Sequence, residues 1–395
     1  MARCAAGALV ATVALGAAGP AAAEVAFRFE GRGYGHGVGM SQFGARGAAL
    51  AGLDAQGILA HYYRGTSIAT VRSSALRVRI AESRAAVAVR GNTAVRAIAA
   101  GGGARVVLSR NARLRVVVRA GAVHLLGPTG RVRMRAATSI LLAPARPDGR
   151  LSLNGRPFRG ALRIVPVGPR RLDVVNVVNL EGYLAGVLPR EMPASWGDDA
   201  PAALEAQAIA ARSYALASRR PGLHYDLHSD VRSQVYGGVA GEDPRTTAAA
   251  RATRGRVLTY GGRVITAFFF STSGGRTENV ENVFGGEPQP YLVSVRDPYD
   301  RMSPYHRRWP DPPTVSGSRL GRLLALGSPA RTFTIIRRGA SPRVISARVG
   351  TADGRVHTVS GAAVRKALGL RDTWFRVVRT ATPRPAPRGA PPAQP

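Results

Sequence analysis

Residues 174–197 read VVNVVNLEGYLAGVLPREMPASWG, and this stretch decides how the centre of the chain folds. The apolar run 174–178 predicts a strand, and the residues after it predict a short helix over 180–187. A turn follows in which Pro189 and Pro193 restrict the backbone on both sides of Glu191. The strand, the helix and the stiff turn together indicate a mixed α+β fold with one acidic residue held at a corner.

The chemistry of this turn depends on what surrounds Glu191. Met192 and Trp196 are close enough in sequence to shield its carboxyl from water. Burial among apolar groups raises the pKa of a carboxyl, and a general acid that works near neutral pH needs such a shift. The alternative is a surface turn in which the glutamate is fully solvated.

A long helix is predicted directly after the turn. Asp198 and Asp199 are candidates for its N-cap, Pro201 suits its first turn, and an alanine-rich run continues to Leu216. On this interpretation Glu191 lies just before a helix N-terminus.

The composition is strongly basic. Among 395 residues, 56 are basic and 23 acidic, which gives a net charge of +33. Nearly all of the basic residues are arginine, and they are spread along the chain instead of forming a short nucleic-acid-binding block. A broad positive field favours anionic partners such as wall polymers, lipid head groups or nucleic acid.

The first residues indicate the compartment. Arg3 precedes an apolar run, and small residues at 21–23 form a cleavage site, so residues 1–23 are predicted to be a secretory signal peptide. The only cysteine, Cys4, would be lost on processing, which excludes disulfides and thiol chemistry in the mature chain. We therefore expect an exported protein of the periplasm, cell envelope or extracellular space. It would have no transmembrane segment and no nucleic-acid partner.

The rest of the chain divides by its sequence pattern. Short alternating apolar runs separated by glycine turns predict a β-rich domain. A helix is predicted over 48–63, a hairpin turns at 261–262, and the end of the chain is rich in proline and predicted to be disordered. The expected divisions are 24–66, a glycine-loop segment with a helix; 67–170, the β-rich domain; 171–378, the main mixed domain; and 379–395, the disordered tail.

The segment 31–44, GRGYGHGVGMSQFG, is a glycine-rich loop. Glycine allows a positive φ and a close approach of the backbone to a ligand, and His36, Ser41 and Gln42 carry groups that suit sugar hydroxyls. The alternative is a loop whose glycines only permit tight packing. Phosphate binding is not expected, because the P-loop pattern is missing.

Two further segments offer polar side chains. Gln207, Arg212 and Tyr214 lie on the alanine-rich helix, where Arg212 could steady a carboxylate, or where all three could lie on an exposed face. Ser271 and Ser273 end an aromatic strand that could line a cleft or form a polar turn. No histidine and aspartate at recognisable spacing complete a serine triad.

Histidines and aspartates are also concentrated between residues 224 and 230. His224, Asp226, His228 and Asp230 match no metal-binding motif, so a solvated loop is favoured over a metal site. No metal and no cofactor is predicted.

Taken together, these segments resemble the SpoIID/LytB family of sporulation and cell-wall proteins. The stretches that carry the resemblance are 174–197, 205–216 (EAQAIAARSYAL), 233–238 (SQVYGG) and 267–278 (AFFFSTSGGRTE), with weaker matches at 290–292 and 368–375 and in the glycine loop with 58–65. The resemblance implies a SpoIID-like catalytic domain with the β-rich domain inserted in it or adjoining it.

The resemblance also implies a function. Catalytic members of the family are lytic transglycosylases that act on peptidoglycan glycan strands, and their catalytic acid corresponds to Glu191. Other signature positions correspond to His36, Gln42, Gln207, Arg212, Ser271 and Ser273, which are expected to line the cleft and bind substrate. Asp226 and Glu278 are candidates for a second carboxylate, so a plain hydrolase stays open. The other alternative is an amidase enhancer, which binds the wall and stimulates a cell-wall amidase.

The chain departs from the family pattern in two ways. The glycine loop lies towards the C-terminus of the sporulation protein but precedes everything else here, as in a circular permutation, which requires that the two ends of the domain lie close in space. Some members carry cysteines, a histidine and in some cases zinc around the segment matching 226–234. This chain has no cysteine there, so zinc is not expected.

Overall fold

The computed structural model describes residues 25–101 and 103–381 of the chain. The predicted signal peptide with Cys4 and residues 382–395 of the predicted tail lie outside the described residues. The last strand ends at Ala381, so residues 379–381 belong to that strand instead of the tail. Helices and strands are both abundant and confirm the mixed α+β class.

The N-terminal part contains the glycine loop and two short helices. The single helix predicted over 48–63 is wrong, because two helices are found and Gly52 between them has a positive φ of 89°. The elements are β1 (Val25–Gly31), β2 (Met40–Ser41), α1 (Gln42–Leu50), α2 (Ala55–Tyr62) and β3 (Ser67–Thr70).

The β-rich part forms two layers around one apolar core, and their strands pair antiparallel except for the parallel pair β16–β4. One sheet has the order β10-β9-β8-β5-β12-β13, and the other has the order β16-β4-β15-β14-β11-β6-β7. The strands are β4 (Ala75–Arg84), β5 (Ala86–Gly91), β6 (Val95–Ala99), β7 (Arg105–Leu108), β8 (Leu114–Arg119), β9 (Ala122–Leu126), β10 (Val132–Ala136), β11 (Ile140–Pro144), β12 (Leu151–Leu153), β13 (Arg156–Phe158), β14 (Ala161–Gly168), β15 (Arg171–Asn179) and β16 (Leu227–His228).

Strand β15 connects the β-rich part to the helices. It lies between β4 and β14 in the second sheet, and it leads directly into the helix that ends at Glu191. By contrast, β3 pairs with a strand beyond residue 250 and belongs to the helical part. The strands of the β-rich layers that are contiguous in sequence therefore run from Ala75 to Asn179.

The helical part has its own core, to which the N-terminal helices contribute. The two glycines at 261–262 have positive φ angles and form the predicted hairpin turn. The elements are α3 (Leu180–Glu191), a 3₁₀ turn (Ala194–Gly197), α4 (Pro201–Ala217), a 3₁₀ turn (Gly238–Gly241), α5 (Pro244–Ala252), β17 (Arg256–Tyr260), β18 (Arg263–Val264), β19 (Phe269–Phe270), α6 (Val280–Phe284) and a 3₁₀ turn (Asp300–Met302).

The C-terminal part packs around a third core that includes β1. Its elements are β20 (Thr314–Ser316), α7 (Gly317–Leu323), β21 (Ala330–Arg338), β22 (Val344–Thr351), β23 (Val356–Ser360), α8 (Gly361–Leu368) and β24 (Phe375–Ala381). Strands β1 and β24 are antiparallel neighbours, with Val25 opposite Ala381. The two ends of the described chain therefore lie side by side, as a rearranged order of segments requires. Within the described ranges, no helix is long and apolar enough to cross a membrane.

Candidate active site

Glu191 is the last residue of α3, not a residue preceding a helix N-terminus as the sequence indicated. Pro189 removes one backbone donor but lies in the last turn, and the helix continues past it until Met192 donates to the carbonyl of Leu188. The predicted caps of the next helix are also wrong. Ala200 occupies the N-cap of α4 without a side-chain hydrogen bond, while the predicted N1 residue, Pro201, is confirmed.

The environment of Glu191 favours a protonated carboxyl. Its side chain is half-buried, and burial raises its pKa to about 7, although a hydrogen bond from the backbone N–H of Val235 opposes the shift. The carboxyl also lies at the C-terminal end of a helix, where the dipole disfavours negative charge. The interpretation of a fully solvated surface glutamate is therefore wrong.

The shielding groups differ from those expected. Met192 and Trp196 are buried, but they belong to the core of the helical part, where Trp196 packs on Phe43 with ring centroids 5.0 Å apart. The groups near the carboxyl are Tyr183 and Tyr214. Burial is the main cause that raises the pKa of both phenols, and the nearby charge of Glu191 adds to the shift.

The segment 233–238 closes this site from one side. Gly237 donates a backbone hydrogen bond to the carbonyl of Gly186 on α3, at 3.0 Å. Gly186 allows this approach, since a Cβ there would lie 2.6 Å from the ring of Tyr236. The Tyr183 hydroxyl donates to Oε1 of Gln234 at 3.2 Å. These contacts hold Val235 where its N–H reaches Glu191.

A row of aromatic rings leads away from the carboxyl. The ring of Tyr214 lies 5.8 Å from that of Phe268, and Phe268 stacks on Phe284 at 4.7 Å between centroids. Phe284 is 51% exposed, so the far end of the row is open to solvent. The row therefore connects the neighbourhood of Glu191 to a surface on α6.

His36 packs against this aromatic row. Its Nδ1 accepts from the backbone N–H of Val38 at 3.1 Å, and its Nε2 lies 3.0 Å from the carbonyl of Phe269. These contacts require a neutral ring with the proton on Nε2, and burial lowers the pKa of His36 to about 3. His36 lines a cavity of about 620 Å³ together with Phe284 and Arg365, and Glu191 is not among the lining residues.

Arg212 pairs with Glu181 and not with Glu191. Its side chain is fully buried and binds both carboxylate oxygens of Glu181, at 3.1 and 2.8 Å. Its remaining donors reach the carbonyls of Ala208, Arg256 and Ala250. All five N–H groups of the guanidinium are used, so Arg212 fixes α3, α4, α5 and β17 relative to one another.

The SpoIID family profile, described as stage II sporulation protein, matches residues 169–260. Those residues include β15, α3, the turn after Glu191, α4 and the segment 233–238. Through these residues the chain is similar to the SpoIID family.

Three relatives illustrate the similarity. Stage II sporulation protein D of Bacillus amyloliquefaciens is 32% identical over 231 residues, which cover 53% of this chain and 63% of that protein. Its counterpart in Bacillus subtilis is 29% identical, with 53% and 64% covered. The amidase enhancer of Bacillus subtilis is 36% identical over 154 residues, which cover 39% of this chain and 21% of the enhancer. The chain thus spans less than two thirds of each relative, and no solved structure matches it.

Several of the expected cleft residues are buried. Gln207 is fully buried on α4, and neither its amide oxygen nor its nitrogen has a partner among the described residues. Gln42 is the first residue of α1 and is also buried. The exposed helix face considered for Gln207 and Arg212 is therefore wrong, since both side chains are buried.

The two serines after the aromatic strand also have internal partners. Ser273 is fully buried and donates to Asp300 at 2.9 Å, while it accepts from the N–H of Gly275. Ser271 is half-buried, and its hydroxyl lies 3.3 Å from that of Thr272. Ser273 is therefore not available to a substrate in this arrangement, whereas Ser271 keeps partial exposure.

Both candidates for a second carboxylate are engaged elsewhere. Asp226 forms an ion pair with Arg77 at 2.6 Å. Glu278 is fully buried and accepts from the backbone N–H groups of Asn279 and Ala340, among other donors. A carboxylate with this many donors serves the fold rather than a substrate.

The histidine and aspartate loop is not the solvated loop that the sequence favoured. His228 is buried, with Nδ1 3.2 Å from Arg79, and Nε2 of His224 lies 2.9 Å from Asp173. Within the described ranges, no group of three or more histidine, cysteine or acidic side chains has the geometry to hold a metal ion.

Proposed function

We propose that this protein acts on peptidoglycan glycan strands in the cell envelope as a lytic transglycosylase, with Glu191 as its single catalytic acid and base. The observation that carries the proposal is the half-buried carboxyl of Glu191. Burial raises its pKa to about 7, and no cation among the described residues opposes the shift. The similarity to the SpoIID family supports peptidoglycan glycan as the substrate. So does the resemblance of the segment 174–197 to the segment that holds the catalytic acid in that family's lytic transglycosylases.

The proposed reaction needs one carboxyl group. Protonated Glu191 gives its proton to the glycosidic oxygen as the bond from that oxygen to the anomeric carbon of the muramyl residue breaks. The 6-hydroxyl of the same muramyl residue then attacks the anomeric carbon, and the Glu191 carboxylate accepts its proton. The products are a free hydroxyl on one fragment and a 1,6-anhydro end on the other, and the carboxyl is regenerated.

The engagement of Asp226 and Glu278 favours this route over hydrolysis. Most glycoside hydrolases use two carboxyl groups that flank the scissile bond. Both candidates here are occupied by internal partners, whereas Glu191 accepts a single hydrogen bond, from Val235, within the described part of the chain. An attacking hydroxyl supplied by the substrate removes the need for a second base.

The aromatic row from Tyr214 to Phe284 supports a path for the glycan. Aromatic faces suit the apolar faces of sugar rings, and the row begins beside Glu191 and ends on an exposed ring. We infer that successive saccharides lie along it.

A second candidate function is that of a wall-binding amidase enhancer. It is favoured by the similarity to the amidase enhancer of Bacillus subtilis and by the net charge of +33, which suits an anionic wall. In this case the protein binds glycan and activates a cell-wall amidase without cutting the strand.

The test of catalysis is Glu191→Gln, which keeps the shape of the side chain and removes its proton. Purified wild type is expected to release 1,6-anhydro-muropeptides from isolated sacculi, and Glu191→Gln is expected to lose about 10²–10⁴-fold in rate. Glu287→Gln is the matched control, because this exposed glutamate lies outside the site.

The outcomes separate the two functions. Release by Glu191→Gln at the wild-type rate would sink the assignment of the acid. Sacculi of unchanged mass that nevertheless sediment with the wild-type protein, and that a purified amidase then degrades faster, would establish the enhancer instead.

A further inference from the structure

A second cavity, of about 930 Å³, lies at the end of β1 and is not part of the site around Glu191. It is bounded by residues of β1, the segment 304–312, the β21–β22 turn and the start of β24. Its charged lining residues are Arg28, Glu30, Arg32, Arg307, Arg308, Arg338 and Arg376.

The positive charge of this cavity is only partly neutralised. Glu30, the one acidic residue in its lining, lies 3.3 Å from Arg28 and 2.7 Å from Arg376. The structure shows no carboxylate within ion-pair distance of the other cavity arginines among the residues it describes. These four unpaired arginines are Arg32, Arg307, Arg308 and Arg338.

Two of the unpaired arginines are held against the side of the cavity. The Arg32 guanidinium lies 4.0 Å above the ring of Trp374, and Arg338 donates to the carbonyl of Phe375 at 3.1 Å. Burial lowers the pKa of both arginines. Their charge is therefore kept in a less favourable environment than water. The charge of Asp300 opposes the shift at Arg32, but the pKa of Arg32 stays lowered.

The side of the cavity behind the arginines presents apolar surface from a tryptophan and several prolines. Trp309 is buried and donates from its indole nitrogen to the carbonyl of Gly33 at 2.8 Å. The cavity is also lined by Pro304, Pro310, Pro312 and Pro342, whose rings restrict the loops around it. A ligand can thus contact charge on one side and aromatic or proline carbon on the other.

Unpaired arginines beside apolar surface indicate the class of ligand that the cavity binds. Guanidinium groups match phosphate oxygens with paired hydrogen bonds, and four of them exceed what one carboxylate needs. The volume lies in the range of cavities that enclose organic ligands. We propose that the cavity binds a ligand with two or more phosphate groups joined by a short carbon chain.

Two sources can supply this chemistry, and the probes separate them. A hexamer of glycerol phosphate represents a phosphodiester chain in solution, and vesicles of phosphatidylglycerol and phosphatidylcholine in equal parts represent lipid head groups. Binding of each to the full chain is measured by calorimetry or by sedimentation, with a glutamate hexamer as the carboxylate control.

The decisive variants remove two charges each. Arg307→Gln/Arg308→Gln is expected to weaken binding of the phosphate probe at least tenfold, whereas Arg131→Gln/Arg133→Gln is expected to change it less than twofold. All four arginines are exposed, and the second pair lies in the β-rich part, away from the cavity. Because each double variant removes two positive charges, the change in net charge is the same for both. Arg32→Gln is a second test of the cavity.

Each result has a defined meaning. If Arg307→Gln/Arg308→Gln weakens binding of the glycerol phosphate hexamer, the ligand is a soluble phosphodiester chain. If it weakens binding of the vesicles alone, the ligand is a lipid head group. Equal effects of the two double variants, or tighter binding of the glutamate hexamer, would overturn the proposal. None of these outcomes bears on the proposal that Glu191 cleaves glycan.

Discussion

Arg343 and Asp372 form an ion pair in which both side chains are fully buried, with two contacts of 2.9 and 2.8 Å. The same guanidinium donates to the carbonyls of Ser273 and Arg276 and to the hydroxyl of Ser341. One arginine therefore connects the segment after the aromatic strand with the C-terminal part of the chain.

The glycine loop packs directly on this ion pair. A Cβ at Gly37 would lie 2.4 Å from Nε of Arg343, and a Cβ at Gly33 would lie 2.5 Å from a carboxylate oxygen of Asp372. Both glycines also have positive φ angles, of 88° and 78°. At these two positions the glycines serve tight packing, which was one of the two interpretations of the loop.

Replacement of Arg343 by methionine is expected to lower the free energy of unfolding by about 3–5 kcal/mol, because it leaves Asp372 buried without its partner. Urea denaturation measures the change, and Arg337→Met, at an exposed position of β21, is the control. The double variant Arg343→Met/Asp372→Leu should lose less than the single one. A loss under 1 kcal/mol in Arg343→Met would contradict the role of this pair.

Arg212→Lys tests whether Arg212 positions helices or binds substrate. Lysine keeps the charge but cannot make the five directed hydrogen bonds, so we expect stability to fall by about 2 kcal/mol while KM for glycan stays unchanged. Thermal unfolding and steady-state kinetics measure the two effects, with the exposed Arg251→Lys as control. A raised KM with wild-type stability would instead show direct contact with substrate.

The sequence predicted the features that depend on neighbouring residues. The strand before α3, the length of α4, Pro201 in its first turn and the glycine hairpin follow from local pattern, and all are found. The end of α3 was misplaced because a proline near a helix C-terminus removes only one hydrogen bond and does not have to stop the helix.

The partners of charged side chains could not be predicted. Arg212 lies 31 positions from Glu181, and nothing in the local pattern indicates that this arginine is buried. Tyr183 and Val235 were missed as neighbours of Glu191 for the same reason. Their motifs were recognised, but only the packing of the segment 233–238 on α3 brings them to the acid.

The rate of glycan cleavage is expected to depend on the protonation of Glu191. The general acid must carry its proton, and the pKa of this carboxyl is about 7. The rate constant kcat/KM should therefore fall about tenfold per pH unit above pH 7 if substrate binding is constant. A profile flat from pH 6 to 9 would rule out Glu191 as the acid that limits the reaction.

The dependence of folding stability on pH should also report the titration of Glu191. The pKa of Glu191 is higher in the folded protein than in the unfolded chain, so its contribution favours folding at low pH and is lost as the pH rises to about 7. Glu191→Gln removes this dependence. Relative to wild type, the variant should gain in Tm between pH 5 and pH 8, and a constant difference would exclude the raised pKa.

Phe284→Ala tests the aromatic row without touching the acid. The ring is 51% exposed and stacks on Phe268, so its removal should reduce affinity for a glycan tetrasaccharide about fivefold to tenfold with little loss of stability. Calorimetry on the inactive Glu191→Gln background measures binding alone, and Leu323→Ala, at a partly exposed position on α7, is the control. The pH profile should not move, because Phe284 carries no proton. Unchanged affinity would remove the row from the substrate path and would leave the assignment of Glu191 intact.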